Sequence, residues 1–146
     1  MEIVFTVPAV PVAQPRQRHR IVRGPREFVQ NYTPAKAPVN SFKAAVQQAA
    51  SRAYHGAPLE CPLLMSLVFV MPRPKSKVWK KRPMPREPHS GKPDRDNLMK
   101  SFQDALEGLL FRNDSQIWAG PVTKVIASGH EQPHVEAVFT TAEEAT

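Results

Sequence analysis

A segment rich in proline and basic residues divides this chain and constrains its fold. Between Pro72 and Pro93 the sequence has six prolines and eight lysines or arginines, with Glu87 as the single acidic residue. Proline has no backbone N–H to donate and disrupts helices and central strands, so the segment predicts a long irregular loop. Loops of this length inside compact domains are commonly functional or disordered. The hydrophobic core must therefore come from the regions on either side.

Three regular elements are predicted before this loop. Alternation of apolar and polar residues from Glu2 to Val7 indicates a strand. A helix is predicted from Asn40 or Ser41 to about His55, because apolar residues recur three and four positions apart. The apolar run from Leu63 to Met71 indicates a strand covered on both faces, with a short buried helix as the alternative.

A helix and two strands are predicted after the loop. The periodicity from Asp96 to Leu109 indicates an amphipathic helix, with Gly108 near its end. Residues 117–126 and 135–139 have strand composition, and we expect them to pair as an antiparallel hairpin. Residues 140–146 are polar and predicted to fray.

The aspartates of the chain are confined to one short stretch around the second predicted helix. All four lie there: Asp94, Asp96, Asp104 and Asp114. On that helix Asp96, Lys100 and Asp104 are four residues apart and share one face. Two interpretations are open. Either the aspartates are caps, solvated helix residues and turn residues, or Asp94, Asp96 and Asp114 meet across the turn after the helix and hold a hard divalent cation.

Three motifs in this stretch are specific. They are Lys-Pro-Asp-x-Asp-Asn-Leu-x-Lys at residues 92–100, Asp-Ala-Leu at 104–106 and Asn-Asp-x-Gln-Ile at 113–117. Together they resemble the RusA family of crossover junction endodeoxyribonucleases, the Holliday junction resolvases common in prophages. The resemblance implies that Asp94, Asp96 and Asp114 bind Mg²⁺, with Mn²⁺ as a substitute, and that Lys100 assists at the reacting phosphate.

One position departs from the family pattern. The family commonly has two aspartates where this chain has Asn113 and Asp114. We take Asp114 as the ligand and Asn113 as a tolerated neighbour. Asp104 has two open interpretations: an outer metal ligand, or a partner that holds Lys100 in place across one helical turn.

The resemblance and the predicted elements together indicate the fold and the activity. We expect an α/β fold of the α+β type, in which residues 1–146 form a single RusA-like domain with a mixed β-sheet, two main helices and the basic loop. The implied activity is hydrolysis of phosphodiester bonds in four-way or branched DNA during recombination and repair. Symmetric cutting of a junction needs two active sites, so a homodimer is expected.

The net charge of +7 favours a polyanionic partner, because basic side chains that neutralise phosphates release counterions. The basic stretch after Gln14 is either a phosphate-contacting arm or a solvated loop. Trp79, inside the proline-rich loop, either stacks on an unpaired base or anchors the loop to the core. The residues predicted to contact DNA are Arg16, Arg18, Arg20, Arg23, Lys75, Lys77, Lys80, Lys81, Arg82 and Lys92.

Cysteine content and hydropathy indicate the compartment. Cys61 is the only cysteine, which excludes an intrachain disulfide and fits a reducing cytoplasm. No apolar stretch approaches the roughly 18 residues that a membrane-spanning helix needs. We therefore expect a soluble cytoplasmic protein with no membrane partner.

The aspartates favour cleavage over binding alone. Carboxylates facing a phosphate backbone repel it by about 1 kcal/mol or more per pair near a protein surface, whereas a divalent ion between them makes the interaction attractive and activates a water.

Two other functional classes stay open. One is a catalytically inactive junction- or RNA-binding module, for which Asn113 is the sequence hint; the other is a small toxin-like or regulatory basic protein with structural aspartates.

Overall fold

The structure is a computed structural model that describes residues 1–15, 18–22, 24, 28–32 and 38–142, and for 18–22 and 28–32 only the backbone. The strands and helices, in chain order, are β1 (Glu2–Val7), β2 (Arg18–Val22), β3 (Phe28–Tyr32), α1 (Pro38–Ala53), β4 (Leu63–Met71), β5 (Glu87–Pro88), α2 (Arg95–Leu106), β6 (Ile117–Ala119), β7 (Val122–Ile126) and β8 (His134–Thr141). Two short 3-10 helices cover Lys75–Lys77 and Asp114–Gln116.

Six strands form one mixed sheet. The strand order is β1-β8-β4-β7-β5, and β6 pairs with the first residues of β4. β8 is antiparallel to both β1 and β4, whereas β6 and β7 run parallel to β4. Because parallel neighbours need a crossover connection, the chain must return to the starting end of β4 before β7 begins, and α2 makes that return. The expected mixed sheet with two main helices is confirmed.

A single hydrophobic cluster lies between the sheet and the two helices. It takes alternate residues of β1 and β8 together with the apolar stripes of α1 and α2. The rings of Phe5, Phe102 and Phe139 are nearly parallel, with centroids 6.1 to 6.4 Å apart, and all three are buried. Burying a side chain of this size contributes roughly 1.5 to 3 kcal/mol, so Phe102 fixes α2 firmly against the sheet.

The predicted positions of the main elements are confirmed with small changes. β1 and β4 have the predicted bounds, α1 begins at Pro38, and α2 ends at Leu106, before Gly108 takes a φ of +81°. The expectation that β4 is covered on both faces is wrong for most of its length. From Leu63 to Leu67 buried residues alternate with half-buried ones, because the helices cover only one face of the sheet there.

The predicted hairpin of residues 117–126 and 135–139 is wrong. β7 and β8 lie on opposite sides of β4 and do not pair with each other. β4 carries the most continuous apolar run and therefore takes the centre of the sheet, with a neighbour on each side. The strand predicted over residues 117–126 is also divided into two, β6 and β7, at Gly120, where the backbone lies against Met65.

Two further expectations change at the ends of the chain. Residues 140 and 141 belong to β8 rather than to a frayed tail, and the Met1 amino group donates a hydrogen bond to Thr141 Oγ1 at 2.9 Å. Residues 143–146 lie outside the described part.

The basic stretch after Gln14 is not simply a loop, because the backbones of β2 and β3 pair as an antiparallel ribbon. Nowhere in the described ranges is a helix both long enough and apolar enough to cross a membrane.

Gly120 yields a stability prediction. Its φ is +132°, and an added Cβ would collide with the Met65 carbonyl oxygen. Gly120→Ala should therefore lower the free energy of unfolding by about 3 kcal/mol or more. Gly108→Ala is the matched control, because its φ is also positive but nothing lies within 4 Å of the added Cβ; we expect a loss of about 1 kcal/mol. Urea denaturation measures both, and equal losses would contradict the collision.

Candidate functional site

Asp94 and Asp96 lie at the N-terminal end of α2. Asp94 occupies the N-cap position with extended backbone, but its side chain makes no capping hydrogen bond, and Asp96 lies in the first turn. Both residues are exposed, and within the described part of the chain neither carboxylate has a hydrogen-bond or ion-pair partner. The interpretation of Asp94 as a structural cap is therefore not supported, and four carboxylate oxygens are available to a ligand.

The segment that leads into Asp94 is attached to β7. Lys124 Nζ donates to the carbonyl oxygens of Gly91 at 2.6 Å and Pro93 at 2.7 Å. The backbone N–H of His89 donates to the Lys124 carbonyl at 3.1 Å. Sequence reasoning assigned no role to Lys124, since a lysine in a short strand has no signal that separates it from an ordinary surface lysine.

His89 lies beside these contacts. Burial lowers the pKa of its imidazole, and the nearby Lys124 charge lowers it further. Its Nδ1 is buried and has no hydrogen-bond partner. The ring is therefore neutral near pH 7.

Lys100 lies one turn along α2 from Asp96. Its Nζ is 3.6 Å from Asp104 Oδ2, and its side chain is 60% exposed. Ion pairs of this spacing on an exposed helix contribute only about 0.3 to 0.5 kcal/mol, so Asp104 orients Lys100 more than it stabilises the fold. This contact supports the interpretation of Asp104 as the partner of Lys100; a role as outer metal ligand stays a prediction.

Asn113 has a structural role in the turn after α2. Its side-chain oxygen accepts a hydrogen bond from the Ser115 N–H at 2.9 Å, and Gln116 Oε1 accepts one from the Asn113 N–H at 2.8 Å. This reciprocal pair caps the 3-10 helix that begins at Asp114. The Asn113 side-chain oxygen is thus bonded to the backbone of the following turn.

Asp114 lies at the opposite end of α2 from Asp94. Its N–H donates to Glu107 Oε1 at 3.0 Å, and Glu107 directly follows the last residue of α2. A helix of twelve residues is roughly 18 Å long. The expectation that Asp114 meets Asp94 and Asp96 across the following turn is therefore wrong within a single chain. The carboxylate of Asp114 is nevertheless exposed and has no partner among the described residues.

A different group of side chains converges in the described ranges. Ligand atoms of Glu131, His134 and Glu136 lie within 4.8 Å of one another, as in a metal-binding group. The guanidinium of Arg86, however, donates to Glu131 Oε2 and to Glu136 Oε2 at 2.6 Å each. A positive charge already lies between the two carboxylates, and it ties the end of the proline-rich loop to β8. Sequence spacing predicted none of these contacts.

The ionisation of this group follows from Arg86. Hydrogen bonds from its guanidinium lower the pKa of Glu131 to about 2, and the carboxylates in turn raise the pKa of Arg86. Burial acts against ionisation of Glu136, but bonds from Arg86 and His134 outweigh it and lower its pKa. Burial likewise opposes protonation of His134, whereas its bonds to the Gln132 carbonyl and to Glu136 raise its pKa.

Arg73 organises the proline-rich loop internally. Its side chain is only 6% exposed and pairs with Glu87 at 3.0 Å. It also donates to the carbonyl oxygens of Lys77, Pro85 and Ala127. The loop is thus long and mostly irregular, as predicted, but one buried arginine replaces the backbone ladder that its prolines prevent.

Two arginines of this loop lie close to the Trp79 ring. The guanidinium of Arg73 lies 5.0 Å from the ring centroid and that of Arg82 lies 3.8 Å from it. The contact with the buried Arg73 supports the interpretation of Trp79 as an anchor of the loop. Arg82, in contrast, is exposed.

The cations predicted to contact DNA differ in their availability. Lys77 pairs with Glu87 at 3.2 Å. Four exposed lysines have no ion-pair partner in the described ranges: Lys75, Lys80, Lys81 and Lys92. Arg16 and Arg23 lie outside the described residues, and for Arg18 and Arg20 only the backbone is described. Lys92 lines an open cleft with Pro93, Asp94 and Asn97, which joins the basic loop to the start of α2.

The donor set at the start of α2 suits a hard cation. Mg²⁺ is usually held by one or two carboxylates, with waters and substrate phosphate oxygens completing its coordination. Asp94 and Asp96 offer two exposed carboxylates beside the cleft that Lys92, Pro93 and Asn97 also line, and the positive end of the helix dipole stabilises their ionised form. A larger cleft between β1 and α1 has no carboxylate or imidazole in its lining and offers no comparable donor.

Comparison with known proteins agrees with this geometry. Residues 8–137 match the family Endodeoxyribonuclease RusA. The chain is also 34% identical over 143 residues to the uncharacterized protein YqaN of Bacillus subtilis (strain 168), in an alignment that covers 94% of each chain. The family match includes the whole region from Asp94 to Asp114 and extends over most of the described sheet and helices. The chain therefore belongs to the RusA family of endodeoxyribonucleases.

Proposed function

We propose that this protein is a Mg²⁺-dependent, structure-specific endonuclease that resolves Holliday junctions in DNA recombination and repair, in the cytoplasm. The observation that carries the proposal is the pair of exposed, unpartnered carboxylates of Asp94 and Asp96 at the start of α2. On a chain with a net charge of +7, such carboxylates beside Lys92 have no evident use in binding DNA alone. The carboxylates become useful when they bind a divalent cation that in turn contacts a phosphate.

The chemistry proposed is hydrolysis of a phosphodiester bond. Mg²⁺, when bound, supplies positive charge to a phosphoryl oxygen and lowers the pKa of a water that attacks in line. Asp94 and Asp96 hold the cation, and Lys100, oriented by Asp104, stabilises negative charge that develops on the phosphate. Lys92 lines the same cleft and attracts the DNA strand toward it.

The position of Asp114 requires a second chain in this proposal. Within one chain Asp114 lies at the C-terminal end of α2 and Asp94 and Asp96 lie at its N-terminal end, and the three carboxylates are not among the described groups whose ligand atoms lie within 4.8 Å of one another. A two-fold homodimer in which Asp114 of one copy approaches Asp94 and Asp96 of the other would complete the ligand set twice. It would also provide the two active sites that symmetric cutting of a four-way junction needs.

A binding module without activity is the alternative function. Its sequence hint was Asn113, whose side chain caps a 3-10 helix. Incubation of a synthetic immobile four-way junction and a linear duplex side by side, with Mg²⁺ or with EDTA, separates the two functions. Cleavage of the junction that EDTA abolishes supports the nuclease, and binding without cleavage under both conditions would contradict it.

The first prediction concerns the proposed ligand Asp96. Asp96→Asn should lower the rate of junction cleavage by at least about 100-fold, because a neutral amide holds Mg²⁺ poorly, while junction binding is retained or strengthened. Glu2→Gln is the control, since Glu2 is an exposed carboxylate on β1 away from α2. Gel-based cleavage and binding assays measure the two effects, and normal cleavage by Asp96→Asn with Mg²⁺ present would exclude the assignment.

The second prediction tests whether Asp114 acts on the other chain. Asp96→Asn and Asp114→Asn proteins, each inactive alone, should regain activity when they are unfolded and refolded together. Each mixed dimer then has one site with both ligands intact, so random mixing should restore about a quarter of the wild-type sites. If Asp114 serves its own chain, every site keeps one defect, and no activity returns.

The third prediction concerns the predicted phosphate contacts of the basic stretch after Gln14. Replacing Arg16, Arg18 and Arg20 together by Gln should weaken junction binding and reduce the slope of log K against log salt by up to about 3. Lys43→Gln, which removes one positive charge from α1, is the control for a loss of charge elsewhere on the protein. Binding is measured at salt concentrations between about 50 and 200 mM. An unchanged slope would contradict a role of these three arginines in DNA binding.

A further inference from the structure

The backbone that leads into Asp94 has few bonds of its own. Pro88 and Pro93 have no N–H, and the amides of residues 90–92 donate to no backbone carbonyl in the described part of the chain. The segment is exposed from Ser90 to Lys92. Its position relative to the sheet must therefore come from side chains of a neighbouring element.

β7 provides that attachment through Lys124. The ammonium donates to the carbonyl of Gly91 at 2.6 Å and to that of Pro93 at 2.7 Å, and Pro93 directly precedes Asp94. Lys124 is itself fixed, because it lies in register with Phe69 of the central strand β4. The ammonium has no carboxylate partner among the described residues, so its charge is committed to two carbonyl dipoles.

Contacts on either side extend this attachment. Pro88 is in register with Val125 in the β5–β7 pair, and the His89 N–H donates to the Lys124 carbonyl. Beyond Asp94, the Arg95 guanidinium donates to the Val122 carbonyl at 3.3 Å. Of the residues that make these contacts, Lys124 alone bonds to the carbonyls of Gly91 and Pro93.

We propose that Lys124 is a positioning residue for the metal site: by holding the Gly91 and Pro93 carbonyls, it fixes the backbone from which the Asp94 and Asp96 carboxylates project. The proposal rests on the proposed function in naming the ion, but the attachment itself is a property of the metal-free chain. Groups that orient metal ligands commonly contribute 10- to 100-fold to metal affinity, because an unfixed ligand must be ordered when the ion binds.

The test uses Lys124→Met, which keeps the length of the side chain and removes its donors. In the metal-free full-length protein, backbone ¹⁵N order parameters at Gly91, Lys92 and Asp94 should fall from about 0.85 to below about 0.6. Affinity for Mn²⁺, measured by electron paramagnetic resonance, should fall about 10-fold. The Mg²⁺ concentration for half-maximal cleavage should rise by a similar factor, with most of the rate recovered at saturating Mg²⁺.

Three matched variants separate positioning from other roles. Lys124→Arg retains donors for the carbonyls and should keep Mn²⁺ affinity within about 3-fold of the wild type. Thr123→Met, at an exposed position of the same strand, should change none of the measurements. Lys100→Met should lower the cleavage rate at every Mg²⁺ concentration without moving the half-maximal concentration, because Lys100 is proposed to act on the phosphate.

The outcomes are distinct. Unchanged order parameters in Lys124→Met, or a cleavage rate that falls at all Mg²⁺ concentrations with an unchanged midpoint, would overturn the positioning role. Should Lys124→Met fail to fold, full Mn²⁺ affinity in a folded Lys124→Gln protein with mobile residues 91–94 would overturn it equally. If Asp96→Asn cleaves normally, the proposed function fails, whereas the change in order parameters still tests the attachment by Lys124.

Discussion

Because β7 pairs with β4 in the parallel sense, the chain between them must travel back along the length of the sheet, and α2 is that return path. This one constraint determines where every acidic candidate lies. Asp94 and Asp96 fall where β4 ends and α2 begins, and Asp114 falls where α2 has ended and β6 is about to pair with the start of β4. The buried Phe102, packed against Phe5 and Phe139, keeps α2 in this position and so keeps the two ends of the site apart.

Some basic residues of the proline-rich loop bond to other groups of the protein, and others are exposed without such partners in the described ranges. Arg73, Lys77 and Arg86 bond to acidic residues and carbonyls of the protein itself, which replaces the ladder that the prolines exclude. The lysines that remain without such partners in the described ranges, Lys75, Lys80, Lys81 and Lys92, are the ones exposed to a polyanion. Counting basic residues in a sequence therefore overestimates the surface available to DNA, because some of them stabilise the loop that carries the others.

Polar side chains around α2 are likewise divided between those that stabilise local structure and those that do not. Asp94 holds the N-cap position without using its side chain as a cap, whereas Asn113 uses its side chain fully in capping the next turn. The Asp94 carboxylate makes no capping hydrogen bond and is therefore available to a ligand. The Asn113 amide oxygen is already bonded to the backbone. Lys124 is the complementary case, a cation with no acidic partner in the described part that is bonded to the backbone entering the site.

The sequence alone determined the main elements, the family and the candidate ligands, because periodicity, proline placement and the clustering of Asp94, Asp96 and Asp114 are local properties of the chain. It determined neither the partners of β7 and β8 nor the contacts of Arg86 and Lys124, because strand order and long-range side-chain contacts depend on which apolar strand takes the centre of the sheet. Only the tertiary structure showed that Asp114 lies at the opposite end of α2 from Asp94. Closeness in sequence brought these residues to the two ends of one rigid helix, and the rigidity of that helix is the reason they do not meet within one chain.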